Sequence, residues 1–319
     1  MSQTLDRELS GDVASGDAFR SMVARLSRLS VDRHFDAYAD VDWDGPGMQV
    51  DATDPRWSPL AVDPVADTDW YRALSPEAQA RYGLYRVAAA MKVGWHFENL
   101  LQRGLLVWAF RLPNGAPEFR YVHHEIIEES QHTLMFQELV NRSGLPVRGM
   151  PRWARLAAEA AVPRAARWGP QAFFFMVLGG EDPVDHVQRV ELQRGTPHPL
   201  VERIMHIHVT EEARHISFAR NYLRHTVPRM NPLRRRLLAV GVPLIMGVMT
   251  RLMLVPPTDL RRHCRVPRSV VRRAQRSPGG RALLGDSARK VRQLCRELGL
   301  MTRAGRATWR IVGLSGDPG

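Results

Sequence analysis

The sequence predicts an all-α protein built around a bundle of long helices. Several long segments repeat apolar residues every three or four positions, which is the period of an amphipathic helix. No segment of useful length alternates apolar and polar residues as a strand would, and no glycine-rich phosphate loop follows a candidate strand. Apolar residues make up 44% of the 319 positions, which is enough to bury one large core.

The first 75 residues are predicted to form a mostly irregular N-terminal wrap, and residues 76–319 the helical domain. Turn-favouring Asp, Pro and Gly are frequent in the wrap after a short amphipathic stretch at residues 19–29. Its first residues do not show a basic start followed by an apolar core, as a secretory signal would. We expect no catalytic group in this region.

The first two long helices each carry one carboxylate on an apolar face. One helix is predicted over about 76–111, because Ser75 can cap it and a proline occupies its first turn. Its apolar stripe is interrupted by Glu98. The next helix is predicted over about 118–143, and its stripe is interrupted by Glu129. Burying a lone carboxylate is costly, so both positions indicate a function.

Two further helices repeat this pattern. The third is predicted over about 163–194, with Glu181 directly after two glycines and with Pro183 expected to kink or locally unwind it. The fourth is predicted over about 199–225. Its inward face carries, at spacings of four and three residues, His208, Glu212 and His215.

Residues 228–319 are predicted to add peripheral helices, several of them basic. The segment 232–254 is apolar and nearly long enough to span a membrane, but Arg251 and Pro243 interrupt it. A core helix is therefore favoured, and we expect no stable membrane span. Shorter basic helices are predicted near 267–276 and 280–298.

The formal net charge of +12 comes largely from arginines after residue 220. No zinc-finger spacing, RNA-recognition signature or aromatic-interleaved basic repeat accompanies them, so we expect a solvated face or an acidic protein partner and no nucleic acid. The two cysteines, Cys264 and Cys295, form no motif, which is typical of the reducing cytoplasm.

Two Glu-x-x-His pairs on separate helices are the strongest signal in the sequence: Glu129 with His132, and Glu212 with His215. A spacing of three projects both side chains from one helical face. With Glu98 and Glu181 from the other two helices, they match the ligand arrangement of ferritin-like di-iron and di-manganese bundles. Carboxylates can bridge two divalent cations, and imidazole suits iron.

Taken singly, each of these residues has a commoner explanation. A lone Glu-x-x-His is usually a surface pair, and a lone glutamate is more often at the edge of a helix. Jointly they occur in the helix order that a two-metal bundle needs, and burying four glutamates without a cation would be very unfavourable.

His208 lies one helical turn before Glu212 and is predicted as a third imidazole ligand, with a hydrogen-bonded core histidine as the alternative. Acidic neighbours of the ligands either accept hydrogen bonds from the outer ring nitrogens or face solvent; they are Glu128, Glu211, Asp182 and Asp185. Larger apolar side chains near the centre form either substrate-pocket walls or plain core; they are Trp95, Phe173 and Val177.

At these positions the sequence resembles the p-aminobenzoate N-oxygenase family of di-iron enzymes, over about residues 80–225. The matching stretches, of which the last is the most discriminating, are Trp95-His96-Phe97-Glu98-Asn99, Glu129-Ser130-Gln131-His132, Gly179-Gly180-Glu181-Asp182-Pro183 and the run from His208 to His215. The resemblance implies a ferritin-like core in which two irons have seven ligands, with the bridging ligands left open: Glu98, Glu129, His132, Glu181, His208, Glu212 and His215.

The resemblance also implies a reaction. Such an enzyme uses dioxygen to oxidise an amine, an aryl amine in the first instance, to hydroxylamine, nitroso and nitro products of secondary metabolism. The chain has neither iron–sulfur cysteine spacing nor a nucleotide-binding fingerprint, so we expect an external electron donor or reductase. A cytoplasmic homodimer is expected.

The ligand set alone leaves other functions open. These are a di-iron monooxygenase acting on carbon or on an aliphatic amine, a ferritin-like ferroxidase, and a basic scaffold with structural carboxylates. The chain length, the wrap and the third histidine disfavour iron storage. A substrate carboxylate could pair with an arginine, and helical spacing does not choose among Arg86, Arg103, Arg220 and Arg261.

Overall fold

The computed structural model describes residues 16–57, 63–195 and 198–316, and within these ranges the regular structure is helical with no strand, which confirms the all-α class. In chain order the α-helices are α1 Gly16–Asp32, α2 Asp69–Arg72, α3 Pro76–Ala109, α4 Pro117–Ser143, α5 Arg152–Trp168, α6 Pro170–Arg194, α7 Pro199–Thr226, α8 Pro232–Leu254, α9 Thr258–His263, α10 Arg268–Arg276, α11 Pro278–Ser287, α12 Arg289–Glu297 and α13 Arg303–Ile311. A short 3-10 turn, Val227–Arg229, follows α7.

Four long helices form the bundle, with α3 packed against α4 and α6 packed against α7. Helix α3 begins where predicted because the Ser75 side chain accepts a hydrogen bond from the backbone N–H of Ala78. Helix α4 ends at Gly144, whose φ of +62° is a left-handed conformation that glycine adopts without strain. The predicted bounds of α3, α4 and α7 agree with the structure to within two residues.

The predicted third helix over 163–194 is wrong at its start, because the segment forms two helices, α5 and α6. They are separated at Gly169, whose φ of −148° and ψ of 63° are not helical. A residue before proline avoids the helical region, and Pro170 follows directly. Helix α6 then remains α-helical through Pro183, so the expected local unwinding is not seen.

The second departure lies in the C-terminal region. The basic helix predicted over 280–298 is two helices, α11 and α12, which meet at Ala288. Helix α10 agrees with its predicted range, whereas α9 and α13 were not predicted. Short helices of this kind carry too few residues for their period to stand out in the sequence.

The described part of the N-terminal wrap is more ordered than predicted. The amphipathic stretch forms α1, which buries Phe19, Val23 and Leu26 against α4 and α7. Irregular chain follows over 33–57 and contacts residues beside the candidate site described below. The first fifteen residues lie outside the described ranges, and the domain division at residue 75 stays a prediction.

Helix α8 packs against α3, α6 and α13. The segment Pro232–His263, which contains it, is long and apolar enough to cross a membrane by length and composition, and half of its most apolar window is buried in the protein. Val242 and Met246 belong to the buried face, whereas Leu244 and Val248 are about half exposed. The predicted core packing is therefore seen on one face of this helix.

Candidate metal centre

The seven side chains predicted as ligands converge in one buried cluster inside the bundle. Helix α3 contributes one of them, α4 two, α6 one and α7 three. All of them are at most 3% exposed: Glu98, Glu129, His132, Glu181, His208, Glu212 and His215. Such a density of ionisable groups in a core is costly unless something compensates their charge.

The donor atoms fall into two groups that share Glu212. Within each group, one atom from every residue lies within 4.8 Å of the others. The first group contains Glu98, His132, His208 and Glu212, and the second contains Glu129, Glu181, Glu212 and His215. Two adjacent sites with a common carboxylate are thereby formed.

Glu129 also lies between the two groups, because its two oxygens point in different directions. Oε2 is 3.1 Å from Nδ1 of His132, and Oε1 is 2.8 Å from Nδ1 of His215. The shared carboxylate of Glu212 lies 3.5 Å from Nε2 of His208 and 3.5 Å from Nδ1 of His215. The spacing of four and three residues on α7 turns His208, Glu212 and His215 to one face of that helix.

Each of the three imidazoles is held by a hydrogen bond from its outer nitrogen. Nε2 of His132 lies 2.9 Å from Glu211, and Nε2 of His215 lies 2.7 Å from Glu128. These outer partners fix the ring orientation, so that the other nitrogen points into the cluster. Of the two alternatives that the sequence left open for Glu128 and Glu211, a partner of an outer ring nitrogen or a solvent-facing group, these contacts correspond to the first.

The outer partner of His208 was missed by the sequence reasoning. Its Nδ1 lies 2.9 Å from Oε1 of Gln188, which is buried on α6. Gln188 follows Glu181 by seven residues and therefore lies on the same face of α6. A polar residue two turns after a candidate ligand was the available signal, but an amide is a weaker signal than a carboxylate.

The predictions for Asp182 and Asp185 need a correction, because neither is an outer partner of these histidines. Asp182 pairs with Arg220, and Asp185 pairs with Arg189 and Lys290. Both aspartates neighbour Glu181 in the sequence but point away from the cluster, where the cations compensate their buried charge.

Burial governs the protonation of the cluster's carboxylates. It raises the pKa of Glu98 well above its ordinary value, and the charge of Glu129 adds to the effect. Burial also raises the pKa of Glu181, with the charge of Glu212 adding to it. Glu129 differs: burial alone would raise its pKa, but the imidazole of His215 holds it well below the usual range.

For the imidazoles, burial acts in the opposite direction and lowers the pKa. Burial opposes protonation of His132, but hydrogen bonds to Glu129 and Glu211 raise its pKa to about 10. Burial lowers the pKa of His208 well below its ordinary value, and the charge of the neighbouring His132 adds to the effect. Without a cation, the cluster can balance its charge only by holding protons.

Several inward-facing atoms have no hydrogen-bond partner within the described residues, and a metal would satisfy them. They are Oε2 of Glu98, both oxygens of Glu181 and of Glu212, and Nε2 of His208. Carboxylate oxygens and neutral imidazole nitrogens are ligands that iron and manganese accept. The residues present therefore fit a pair of divalent cations.

One buried carboxyl near the cluster escaped the sequence reasoning. Glu125 precedes Glu129 by one turn of α4, is fully buried, and has no hydrogen bond from either oxygen within the described residues. Burial raises its pKa to about 8. The spacing of four from Glu129 was the available signal, but by itself it does not rank Glu125 above other polar residues.

A cavity of about 80 Å3 reaches this cluster from the side of α3, α6 and α8. Glu98, Glu181 and His208 lie on its wall. The rest of the wall is mostly apolar and includes Val87, Met91, Phe97, Phe136, Val184 and Met205. Such a pocket admits a small apolar molecule to the open side of the cluster.

None of the three predicted pocket-wall residues lines this cavity, although two of them line a groove beside it. Trp95 is half-buried with Lys92 stacked on its ring, away from the cavity. Phe173 and Val177 line a neighbouring groove instead. On α3 the cavity side follows Val87, Met91 and Glu98, and Trp95 projects off that stripe.

The structure distinguishes the four arginines that could pair with a substrate carboxylate. Arg86 lies on the cavity wall and is paired at 3.2 Å with the buried Asp63. Arg220 pairs with Asp182, as described above. Arg103 is exposed and Arg261 partly buried, and neither lines the cavity.

Comparison with known proteins identifies a family. The family model described as P-aminobenzoate N-oxygenase AurF matches residues 17–299. An uncharacterized protein of Mycobacterium tuberculosis strain CDC 1551 / Oshkosh is 44% identical over 309 residues, covering 96% of this chain and 91% of that protein. An uncharacterized protein of Mycobacterium bovis is 43% identical over the same shares of both chains.

Proposed function

The chain belongs to the p-aminobenzoate N-oxygenase family, whose members are helical proteins with a di-iron centre. From this premise we propose that it uses dioxygen to oxidise the nitrogen of an amine, and that this amine is an aryl amine. The observation that carries the proposal is the pair of donor groups sharing Glu212. A buried cluster of four glutamates and three histidines supports two cations more readily than one.

Each donor group would hold one iron. Glu98, His132 and His208 would hold the first, Glu129, Glu181 and His215 would hold the second, and Glu212 would bridge the two. When bound, the iron pair would supply the reduction and activation of dioxygen.

The chain's own residues orient the ligands and shape the pocket. Glu211, Glu128 and Gln188 keep the imidazoles turned inward. The apolar wall would exclude water and would hold the substrate nitrogen near Glu98 and Glu181.

Electrons must be supplied from elsewhere. Each oxygen transfer to nitrogen uses one atom of dioxygen, releases the other as water, and consumes two electrons and two protons. The two cysteines of the sequence form no iron–sulfur binding motif. We therefore propose an external reductase as the partner of the enzyme.

The test begins with anaerobic loading of the purified protein with ferrous ion. We expect about two irons per chain, as the two donor groups require. The reduced protein is then mixed with oxygen-18-labelled dioxygen and with aniline, 4-aminobenzoate, benzylamine or octylamine. Mass spectrometry should show labelled oxygen on nitrogen.

Three results would contradict the proposal. Absence of bound iron would remove its premise. Label on carbon would indicate a carbon monooxygenase. Consumption of dioxygen with mineralised iron and no organic product would indicate a ferroxidase.

A further inference from the structure

An open groove lies beside the cavity at the cluster. Helices α3, α6 and α8 line both spaces, and α5 closes the far side of the groove. On α6, Glu181 and Val184 face the cavity, whereas Phe173 and Val177 face the groove. The groove has a volume of about 310 Å3.

Phe97 is the partition between the two spaces and lies on the wall of each. Its ring rests on Gly180, where a Cβ would approach the ring atom Cζ to 2.0 Å. Glycine at 180 therefore makes room for the ring in this position. No other described residue is common to both linings, so the ring of Phe97 is what separates the groove from the cavity.

The cavity alone is too small for an aryl amine. It measures about 80 Å3, whereas an engineered apolar cavity that binds benzene has roughly 150 Å3. A substrate whose nitrogen reaches the cluster must therefore extend past Phe97. The groove is the adjoining space, and alanines of α5 at positions 154, 157, 158 and 161 leave it wide.

The chemistry of the groove specifies what it would bind. All of its lining residues are apolar. In the cavity beyond, the guanidinium of Arg86 is already matched by Asp63 and by the carbonyl oxygen of Leu254. Among the described lining residues, no cationic side chain without a counter-charge is available to bind a substrate carboxylate.

We propose that the groove binds the apolar part of the amine substrate, that Phe97 is the gate through which the amine reaches the cluster, and that the substrate is a neutral amine with an alkyl or aryl extension. This inference rests on the proposed function for the role of the cavity. It narrows the substrate class, because a short carboxylated arylamine would have no free cation to pair with and no apolar extension to fill the groove.

The test measures binding to the ferrous-loaded protein without oxygen, so that no substrate is consumed. Calorimetric titrations compare aniline, 4-ethylaniline, 4-butylaniline and 4-hexylaniline. Each added methylene should raise the affinity about fourfold. The matched carboxylate, 4-(4-aminophenyl)butanoate, should bind at least tenfold more weakly than 4-butylaniline.

Two variants on one helix separate the groove from the rest of the surface. Ala157→Phe adds a ring at an exposed position inside the groove, and Ala160→Phe adds it at an exposed position outside. Ala157→Phe should remove the gain in affinity with chain length, whereas Ala160→Phe should keep it.

A third variant tests the gate. Phe97→Ala should raise the association rate of 4-hexylaniline severalfold in stopped-flow measurements.

Equal affinity for all four anilines would overturn the proposal that the groove binds the substrate. So would a gain in affinity with chain length that persists in Ala157→Phe. An unchanged rate in Phe97→Ala would overturn the gate. Iron content is measured on every sample. If the protein binds iron but its affinity does not rise with chain length, only this inference is contradicted. If the affinity rises with chain length but the protein holds no iron, the proposed function is contradicted.

Discussion

His132 and Glu211 form the hydrogen bond that links the cluster to the N-terminal wrap. Nε2 of the imidazole lies 2.9 Å from one oxygen of the carboxylate, and the other oxygen accepts the backbone N–H of Phe35 at 3.2 Å. The wrap therefore braces the outer partner of a proposed ligand. A region expected to lack catalytic groups still contributes to the order of the centre.

Glu211→Gln should weaken iron binding by about 10- to 100-fold, because the substitution removes the negative charge that orients and polarises His132. Anaerobic titration with ferrous ion measures the effect. Glu159→Gln, at an exposed position on α5, is the control and should bind iron normally. Equal affinities in the two variants would show that Glu211 does not support the centre.

The shared carboxylate predicts unequal losses of metal. Glu212→Ala removes a donor from both groups and should leave less than one iron per chain, whereas Glu98→Ala removes a donor from one group and should leave about one. Elemental analysis after gel filtration distinguishes these values. Full loss in Glu98→Ala, or retention of two irons in Glu212→Ala, would refute the assignment of the bridge.

The pH dependence of stability should differ between the metal-free and the metal-loaded protein. In the metal-free protein, burial raises the pKa of Glu98 and Glu181, and brings that of Glu125 to about 8. The folded state then holds more protons than the unfolded state, so stability falls as pH rises from about 5 to 8. Metal requires the deprotonated ligands, so its stabilising effect grows over the same range.

Melting temperatures of the metal-free and ferrous-loaded protein across this range provide the measurement. The difference between the two forms should widen as pH rises. Glu125→Gln should flatten the curve of the metal-free protein, because it removes a group that titrates in this window. A constant difference would argue against metal binding by these carboxylates.

The ion pair beside the cavity should be important for stability. Arg86 and Asp63 are almost fully buried, and the hydroxyl of Tyr82 donates a further hydrogen bond to Asp63 at 2.9 Å. Asp63→Asn would leave the guanidinium without its counter-charge and should cost about 3 kcal/mol in the free energy of unfolding. Urea denaturation measures this.

The control is the exposed pair of Arg72 with Asp69, in which both side chains are more than half exposed. Arg72→Met should change the unfolding free energy by less than about 0.5 kcal/mol. A similarly small change in Asp63→Asn would mean that the neighbouring hydrogen bonds compensate the lost charge.

Local signals predicted most of the helices but not all of their ends. Ser75 and Gly144 mark helix termini through contacts within a few residues, so the predicted α3 and α4 agree with the structure. The break at Gly169 was missed, although glycine before proline is a recognised turn signal. The apolar residues before and after Gly169 both repeat with the period of a helix, so the sequence predicts one helix where the structure has two.

The candidate site shows the same division. The glutamates and histidines of the four helices could be named from spacing alone, since positions three and four apart share a helical face. The outer partner Gln188 and the buried carboxyl Glu125 could not be ranked above other polar residues. Their importance depends on which helix faces them, and that information is not local.

From the sequence alone follow the all-α class and the set of side chains able to bind two metals, because helical periodicity determines which residues share a face. Only the tertiary structure assigned Glu212 to both donor groups, turned Asp182 and Asp185 towards cations, and placed Phe97 over Gly180 between cavity and groove. Those relationships join helices far apart in the chain, and their packing sets the distances that decide the chemistry.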